Sequence, residues 1–200
     1  MKDVALAVLA AGRGERLGGG TPKPLITLGD RTLLDWTLGA AMATDLRPVV
    51  LVVGHRGAAV RRAAPPGTVV VRARRWRRGI AHSLGAALEA LDHWARVGAA
   101  CVGLADQPLV GAEAYRRLVT THRAGALLAV ATYHGVRGNP VLLDRSLWHE
   151  ARTLRGDVGA RALMDHHPVT EVDCTGTGDP TDVDTLDDLG ELERRLEGRT

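Results

Sequence analysis

The 200-residue sequence has no phenylalanine, two tyrosines and four tryptophans. Its core must therefore come mostly from Val, Leu and Ala, and many small side chains favour helices packed closely on a sheet. Its two cysteines, Cys101 and Cys174, lie far apart and form no CxxC pair. The N-terminus lacks the charged start, apolar centre and cleavage site of a signal peptide, so the expected location is the reducing cytoplasm. No apolar run approaches the roughly 18 residues of a membrane span. Serine occurs only at Ser83 and Ser146, without a GxSxG elbow, which argues against a serine-triad hydrolase. The histidines are scattered apart from the pair His166-His167, and HExxH is absent, so no histidine metal centre is expected.

What is present is an ordinary apolar share of 45% and a modest net charge of +3, unevenly spread. Arg72, Arg74, Arg75, Arg77 and Arg78 form one cluster, with Arg61 and Arg62 just before it, while acidic residues concentrate after Glu171. No helix-turn-helix, zinc-finger or RNA-binding signature accompanies the basic cluster. It reads as a solvated surface that also attracts nucleotide phosphates, and no nucleic-acid partner is expected.

The chain is organised around residues 4–23, VALAVLAAGRGERLGGGTPK. The first six are an unbroken apolar run, as in a buried parallel strand. Gly12, Arg13, Gly14, Arg16, Gly18, Gly19, Gly20 and Lys23 follow. Flexible backbone and positive charge directly after a rigid strand make an anion cradle. The pattern is not a Walker A loop, because no Lys-Ser or Lys-Thr follows the glycines. It also misses the dinucleotide fingerprint, and the second strand ends in Gly54-His55 where a ribose-binding acid should stand.

Further along, strands are predicted over 49–53, 68–71, 99–104 and 127–132, extended structure over 25–28 and 140–143, and an edge or mixed strand over 169–173. Helices are predicted over 31–42, 58–64, 80–94 and 113–123, with a turn or two over 147–152. The 80–94 helix places Trp94 on its buried side. Residues 133–139, YHGVRGN, read as a glycine-rich polar stretch, and Asp157 as the cap of a helix over 158–164. A last helix begins at Asp184 or Thr185 and ends near Gly198. Strand and helix alternate at least four times, which predicts a three-layer α/β/α sandwich with a mostly parallel, Rossmann-like mononucleotide-binding sheet. The expectation is one domain, with a nucleotide-binding half over 1–110 and an acceptor-binding half closed by an acidic helix over 111–200. Ligands of such sheets bind at the carboxyl ends of the strands, where the loop, Gly54-His55, residues 72–79 and Asp106 converge.

Asp106 follows a buried strand and is held by Pro108, so its carboxylate is suited to present Mg2+ to phosphates, or to cap the next helix. Asp182 and Asp184 project to one side if their segment is extended. One could complete a metal site and the other cap the final helix.

These residues resemble the molybdenum-cofactor nucleotidyltransferase family, most of all its cytidylyltransferase branch. The resemblance is carried by LAAGRGERLGGGTPK at 9–23, RRGIAHSL at 77–84, LADQP at 104–108, GNPVLL at 138–143, LRGDVGARAL at 154–163 and DVDTLDDL at 182–189. It implies transfer of a nucleoside monophosphate from a nucleoside triphosphate to a phosphorylated acceptor, molybdopterin or molybdenum cofactor, with release of pyrophosphate. It further implies a nucleotide site of Leu9, Ala10, Ala11, Gly12, Arg13, Gly14, Lys23, Gly54, Gly79, Ser83 and Asp106. Within that site Arg13, Lys23 and Asp106 are catalytic, and Mg2+ sits on Asp106 with Asp182 as its partner. Ala11, where guanylyl-transferring relatives tend to carry glycine, tilts the nucleotide from GTP toward CTP. Gly14 stands where serine is common, and Ala105 where glycine is common. The expected partners are CTP, a phosphorylated small molecule and a molybdoenzyme, with no membrane, for a monomer or weak homodimer. Two alternatives stay open: an NAD(P)H- or flavin-dependent oxidoreductase on a small heterocycle such as nicotine blue, and a non-enzymatic chaperone or adaptor for a molybdoenzyme.

Overall fold

The N-terminal apolar run forms β1 (Asp3–Ala10), buried along all but its first residue, as a central strand covered on both faces must be. In the computed structural model, which describes residues 2–18 and 20–198, β1 leads into the glycine loop; Gly19 of that loop lies outside the described residues. A two-stranded ribbon of β2 (Thr27–Leu28) and β3 (Arg31–Thr32) follows. It feeds α1 (Leu33–Met42), which starts at a capping box of Thr32 and Asp35 that satisfies two free helix-end groups. Then come β4 (Val49–Val53), α2 (Gly57–Ala63), β5 (Thr68–Arg72), α3 (Ile80–Leu91) and β6 (Val97–Leu104). The rest of the chain adds α4 (Ala112–Arg123), β7 (Leu128–Tyr133), β8 (Val136–Asp144), α5 (Trp148–Ala151), β9 (Thr170–Asp173) and α6 (Leu186–Glu197).

The main sheet has the order β5-β4-β1-β6-β8-β7-β9. β8 is antiparallel to both neighbours, β6 and β7, and every other pairing is parallel. The chain winds outward from β1 to β4 and β5, then returns through α3 to place β6 on the other side of β1. That reversal opens a crevice between the carboxyl ends of β1 and β6. Alternate residues of β1 serve the two outer layers. Val4, Leu6 and Val8 pack with Leu34 and Leu38 of α1 and Leu118 of α4, while Ala5, Ala7 and Leu9 pack with Leu84 and Leu88 of α3 and with Trp148. The fold is the three-layer α/β/α sandwich expected. Among the described residues no helix is long and apolar enough to cross a membrane.

Four local expectations are corrected. Residues 133–139 are not a polar loop: His134 and Gly135, both at positive φ, form the tight turn of the β7–β8 hairpin. The predicted helix over 80–94 stops at Leu91, because the Asp92 carboxylate is drawn to Arg145 and Arg152, and Trp94 is left 46% exposed. The helix predicted from residue 31 begins at Leu33, its first two residues being taken by the ribbon. Asp157 caps no helix of its own, since the 3-10 segment Gly159–Asp165 has no side-chain cap; its Oδ1 instead accepts the N–H of Ile80, the first residue of α3, at 3.2 Å.

The tail folds back over the start of the chain. Leu17 of the glycine loop packs with Leu28, Leu33, Val183 and Leu192 in a third apolar cluster, and Thr185 caps α6 in a second capping box with Asp188. Buried Asp179 anchors the turn before α6, accepting from Thr181 N–H at 3.0 Å and from Arg195 at 2.7 Å. Burial pushes its pKa up, but these partners outweigh it and the net shift is downward. A carboxylate whose folded pKa lies below the unfolded value of about 3.9 contributes stability above that pH and loses it as pH falls through the folded value. Asp179→Asn should therefore flatten the acid limb of Tm against pH below about pH 4; an acid limb identical to that of the wild type would rule this carboxylate out.

Candidate active site

The residues after β1 and β6 meet in the crevice the topology opens. Gly14 takes a left-handed conformation, φ 63°, and a Cβ there would lie 2.6 Å from Lys23 Cβ. Glycine is required at this point, because the loop must turn where the lysine stem passes. The Lys23 ammonium lies between two carboxylates, 2.7 Å from Asp106 Oδ2 and 2.7 Å from Asp184 Oδ1. Its residue is only 7% exposed. Burial pushes the amine toward neutrality, yet Asp106 and Asp184 outweigh this and raise its pKa, so it is a fixed positive charge. Arg16 pairs with Asp184 from outside at 2.8 Å. The hydrogen bond from Lys23, with further help from Arg16, holds the Asp184 carboxyl below its ordinary range.

Asp106 is fixed through its backbone, since Ala105 N–H donates to Leu9 O of β1 and Val183 N–H of the tail donates to Asp106 O. Its second oxygen, Oδ1, is buried without a hydrogen-bond partner. Asp182 behaves unlike Asp184. Protein packed around its carboxyl and then the charges of Asp106 and Asp184 push its pKa up, and it makes no ion pair among the described residues. Asp184 is thus neutralised by cations of the chain, whereas Asp182 lies in the field of Asp106 and Asp184 without an ion pair of its own among the described residues. Among the described residues no group of three or more His, Cys, Asp or Glu is arranged to hold a metal ion. An orphaned oxygen beside one further carboxylate fits a divalent cation of the kind that is held by one or two carboxylates plus substrate phosphates.

The cleft has two lobes. The larger, about 680 Å3, is lined by Ala10, Gly12, Arg13, Gly14, Arg16, Lys23, Asp106, Asp157 and Asp184 among others, and is rich in charge. The other, about 450 Å3, is lined by Ala11, Trp76, Gly79, Ile80, Ser83 and Leu104 among others and shares Leu9, Gly12, Arg13, Asp106 and Asp157 with the first. Ser83 is buried in the first turn of α3. Gly79 has φ 106°, and a Cβ there would fall 2.2 Å from the Gly156 carbonyl. Of the expected site residues, Gly54 and Asp182 line neither lobe. Gly54 stands behind the wall: a Cβ on it would come within 2.7 Å of Trp76 Cγ and 2.8 Å of Ala11 Cβ.

The sequence profile of the MobA-like NTP transferase domain matches residues 6–172, which include the loop, Lys23 and Asp106. The chain belongs to the MobA-like NTP transferase family. It is accordingly a nucleotidyltransferase, drawing on a nucleoside triphosphate and a phosphorylated acceptor and releasing pyrophosphate. The crystal structure of Rv0371c from Mycobacterium tuberculosis is similar at 35% identity and a TM-score of 0.85, covering 96% of this chain and 98% of that one. A second structure of Rv0371c, at 32% identity and a TM-score of 0.80, is a complex with manganese. The nicotine blue oxidoreductase of Paenarthrobacter nicotinovorans is 32% identical over 92% of this chain and 94% of its own length. The bifunctional protein GlmU of Pelobacter propionicus is 35% identical over 78% of the chain, which spans about a third of that protein, 34%.

Within this family member, reading the sequence alone missed Trp76, which looks locally like one more surface residue of the arginine cluster. Its indole has the Arg13 guanidinium 5.3 Å and the Arg77 guanidinium 5.1 Å from the ring centroid, and His55 meets it edge-on at 5.5 Å. Arg13 is also paired with Glu15 at 2.5 Å, so the loop arginine is held from two sides at the junction of the lobes. The only local signal was an aromatic residue set among cations near a strand end. Replacing Trp76 by Leu should weaken nucleoside triphosphate binding about 2- to 30-fold, the span of a partly desolvated cation–π contact, with a smaller loss for Trp76→Phe. Calorimetric titration in an Arg13→Ala background should show no further loss; an equal loss there would mean that the indole does not act through Arg13.

Proposed function

We propose that this protein transfers CMP from CTP to the terminal phosphate of molybdopterin or molybdenum cofactor. The observation that carries the reading is the buried, partnerless Asp106 Oδ1 beside a protonated Lys23, at the crevice between β1 and β6. Leu9, Ala10, Ala11, Gly12 and Gly14 offer backbone to the nucleotide, as their positions along the two lobes support. The smaller lobe takes the base, with Ser83 and Gly79 on one side and Ala11, backed by Gly54, on the other. The Ala11 methyl on this wall favours the smaller pyrimidine. Arg13 and Lys23 neutralise phosphate oxygens in the larger lobe.

Asp106, with Asp182 as its partner, would hold Mg2+, which when bound supplies positive charge to the triphosphate oxygens. The chain's own part is positioning and electrostatics. An acceptor phosphate oxygen attacks the α-phosphorus in line, the bond to pyrophosphate breaks, and Arg13 and Lys23 stabilise charge on the departing group. No covalent intermediate with the protein is required. Asp184, already neutralised by Lys23 and Arg16, keeps the lysine oriented.

A second reading has one observation in its favour, the full-length likeness to a protein named as an oxidoreductase. NAD(P)H or flavin phosphates would then occupy the same cradle. Against it stand the failed dinucleotide fingerprint and the absence of a ribose-binding acid at the end of β4, where Gly54 and His55 are found. A thermal-shift screen separates the readings, since a ligand of the folded state at about 100 times its Kd adds about 2.7 kcal/mol, roughly 5–10 °C for a chain of this size. CTP with Mg2+ should give such a shift, GTP a smaller one and NADPH none. Asp106→Ala should lower turnover of CTP to pyrophosphate about 100-fold or more, as when a preorganised electrostatic group is removed. Full activity in that variant, or NADPH oxidation at 340 nm without pyrophosphate release, would overturn the proposal.

A further inference from the structure

The turn after β6 and the segment before α6 run side by side in opposite directions. Val183 N–H donates to Asp106 O at 2.8 Å and Asp179 N–H to Leu109 O at 2.9 Å, and an antiparallel bridge joins Val110 to Gly178. Between the first two of these rungs stand Pro108 and Pro180, neither of which has an N–H to give. The backbone cannot close the ladder there. A side chain does so instead: Gln107 Nε2 donates to Pro180 O at 2.9 Å.

Gln107 is 5% exposed, and its own peptide groups are held, the N–H donating to Leu104 O and the carbonyl accepting from Val110 N–H. Its amide also reaches the Asp182 carboxyl. Burial and then the charges of Asp106 and Asp184 push that carboxyl's pKa up, while the Lys23 charge and a side-chain hydrogen bond from Gln107 oppose them. An amide nitrogen carries two N–H donors and an amide oxygen none, so two acceptors, Pro180 O and Asp182, fix which end of the side chain faces the tail. The other end, Oε1, is buried without a hydrogen-bond partner. A side chain selected for stability alone would not leave a buried acceptor unpaired, because an apolar one of the same shape avoids that cost.

Resting on the reading that Asp106 and Asp182 hold a divalent cation, we propose that Gln107 is a positioning residue for that cation: its amide fills the rung that two prolines leave open and holds the Asp182 carboxylate in the field of Asp106. The choice of a neutral donor has a physical reason. Asp184 is placed by Lys23 and Arg16 and is neutralised by them, whereas an amide places Asp182 and leaves its charge for the cation. Gln107 lines neither lobe of the cleft, so it acts through Asp182.

The test measures Mn2+ binding to the full chain without nucleotide, by loss of the free-ion electron paramagnetic resonance signal, beside CTP affinity at saturating Mn2+ and Tm. Gln107→Met, which keeps the length of the side chain, should weaken Mn2+ binding about tenfold or more, the scale for losing a residue that orients a metal ligand. CTP affinity at saturating Mn2+ should stay within about twofold of the wild type. Tm should stay within about 4 °C, since one hydrogen bond lost and one orphaned oxygen removed are of similar size. In an Asp182→Ala background the same substitution should have no further effect on Mn2+. Gln107→Asn, whose amide is one carbon too short to span to Pro180, carries the same test if Gln107→Met does not fold. Unchanged Mn2+ binding, an equal loss in the Asp182→Ala background, or a fall of Tm and CTP affinity alongside that of Mn2+ would overturn the inference and leave the cation reading in place. Absence of Mn2+ binding by the wild type would instead sink the cation reading and the inference with it, so the two failures are distinguishable.

Discussion

A buried ammonium between two carboxylates holds this molecule's working end together. Lys23 arrives on the loop after β1, Asp106 on the turn after β6, and Asp184 on the segment before α6, and Nζ lies 2.7 Å from both acids. An isolated charge at 7% exposure would be driven toward its neutral form. Two opposite charges reverse that, so removing either acid would leave the lysine under-compensated, and removing the lysine would leave Asp106 and Asp184 without the cation they share. The contact spans both ends of the chain and fixes them at the place where phosphates are proposed to bind.

The sheet makes this meeting possible. A chain that wound in one direction only would place β6 far from β1. The return through α3 instead puts Leu104 beside Leu9, so the two strands end together and their following residues share one crevice. The tail then closes on that crevice through apolar contacts of Leu17, Val183 and Leu192 and through the hydrogen bond of Val183 N–H to the Asp106 carbonyl. Apolar packing brings the tail close, and the ion pairs with Lys23 and Arg16 set its register.

The buried strands were legible because unbroken runs of Val, Leu and Ala have few other homes in a chain of this composition. The last helix was legible through Thr185, whose cap lies three residues from its Asp188 partner. Errors arose where a local signal was outweighed by a distant one. Trp94 fits the apolar face of a helix, yet the helix stops at Leu91 because Asp92 is engaged by Arg145 and Arg152, more than fifty residues on. Asp157 reads as a local cap, but its hydrogen-bond partner is Ile80, 77 residues away.

By itself the sequence determined the alternation of buried strands and helices, the cationic glycine loop and the acid after β6, since each is a matter of neighbouring residues and period. Only the tertiary structure decided which carboxylate of the tail meets Lys23, that Trp76 braces Arg13, and that Asp157 stands where the two lobes of the cleft join. Those are distances between segments far apart in the chain, and they follow from strand order, from the close approach permitted at Gly54 and Gly79, and from the burial of charge. None of these is written in local pattern.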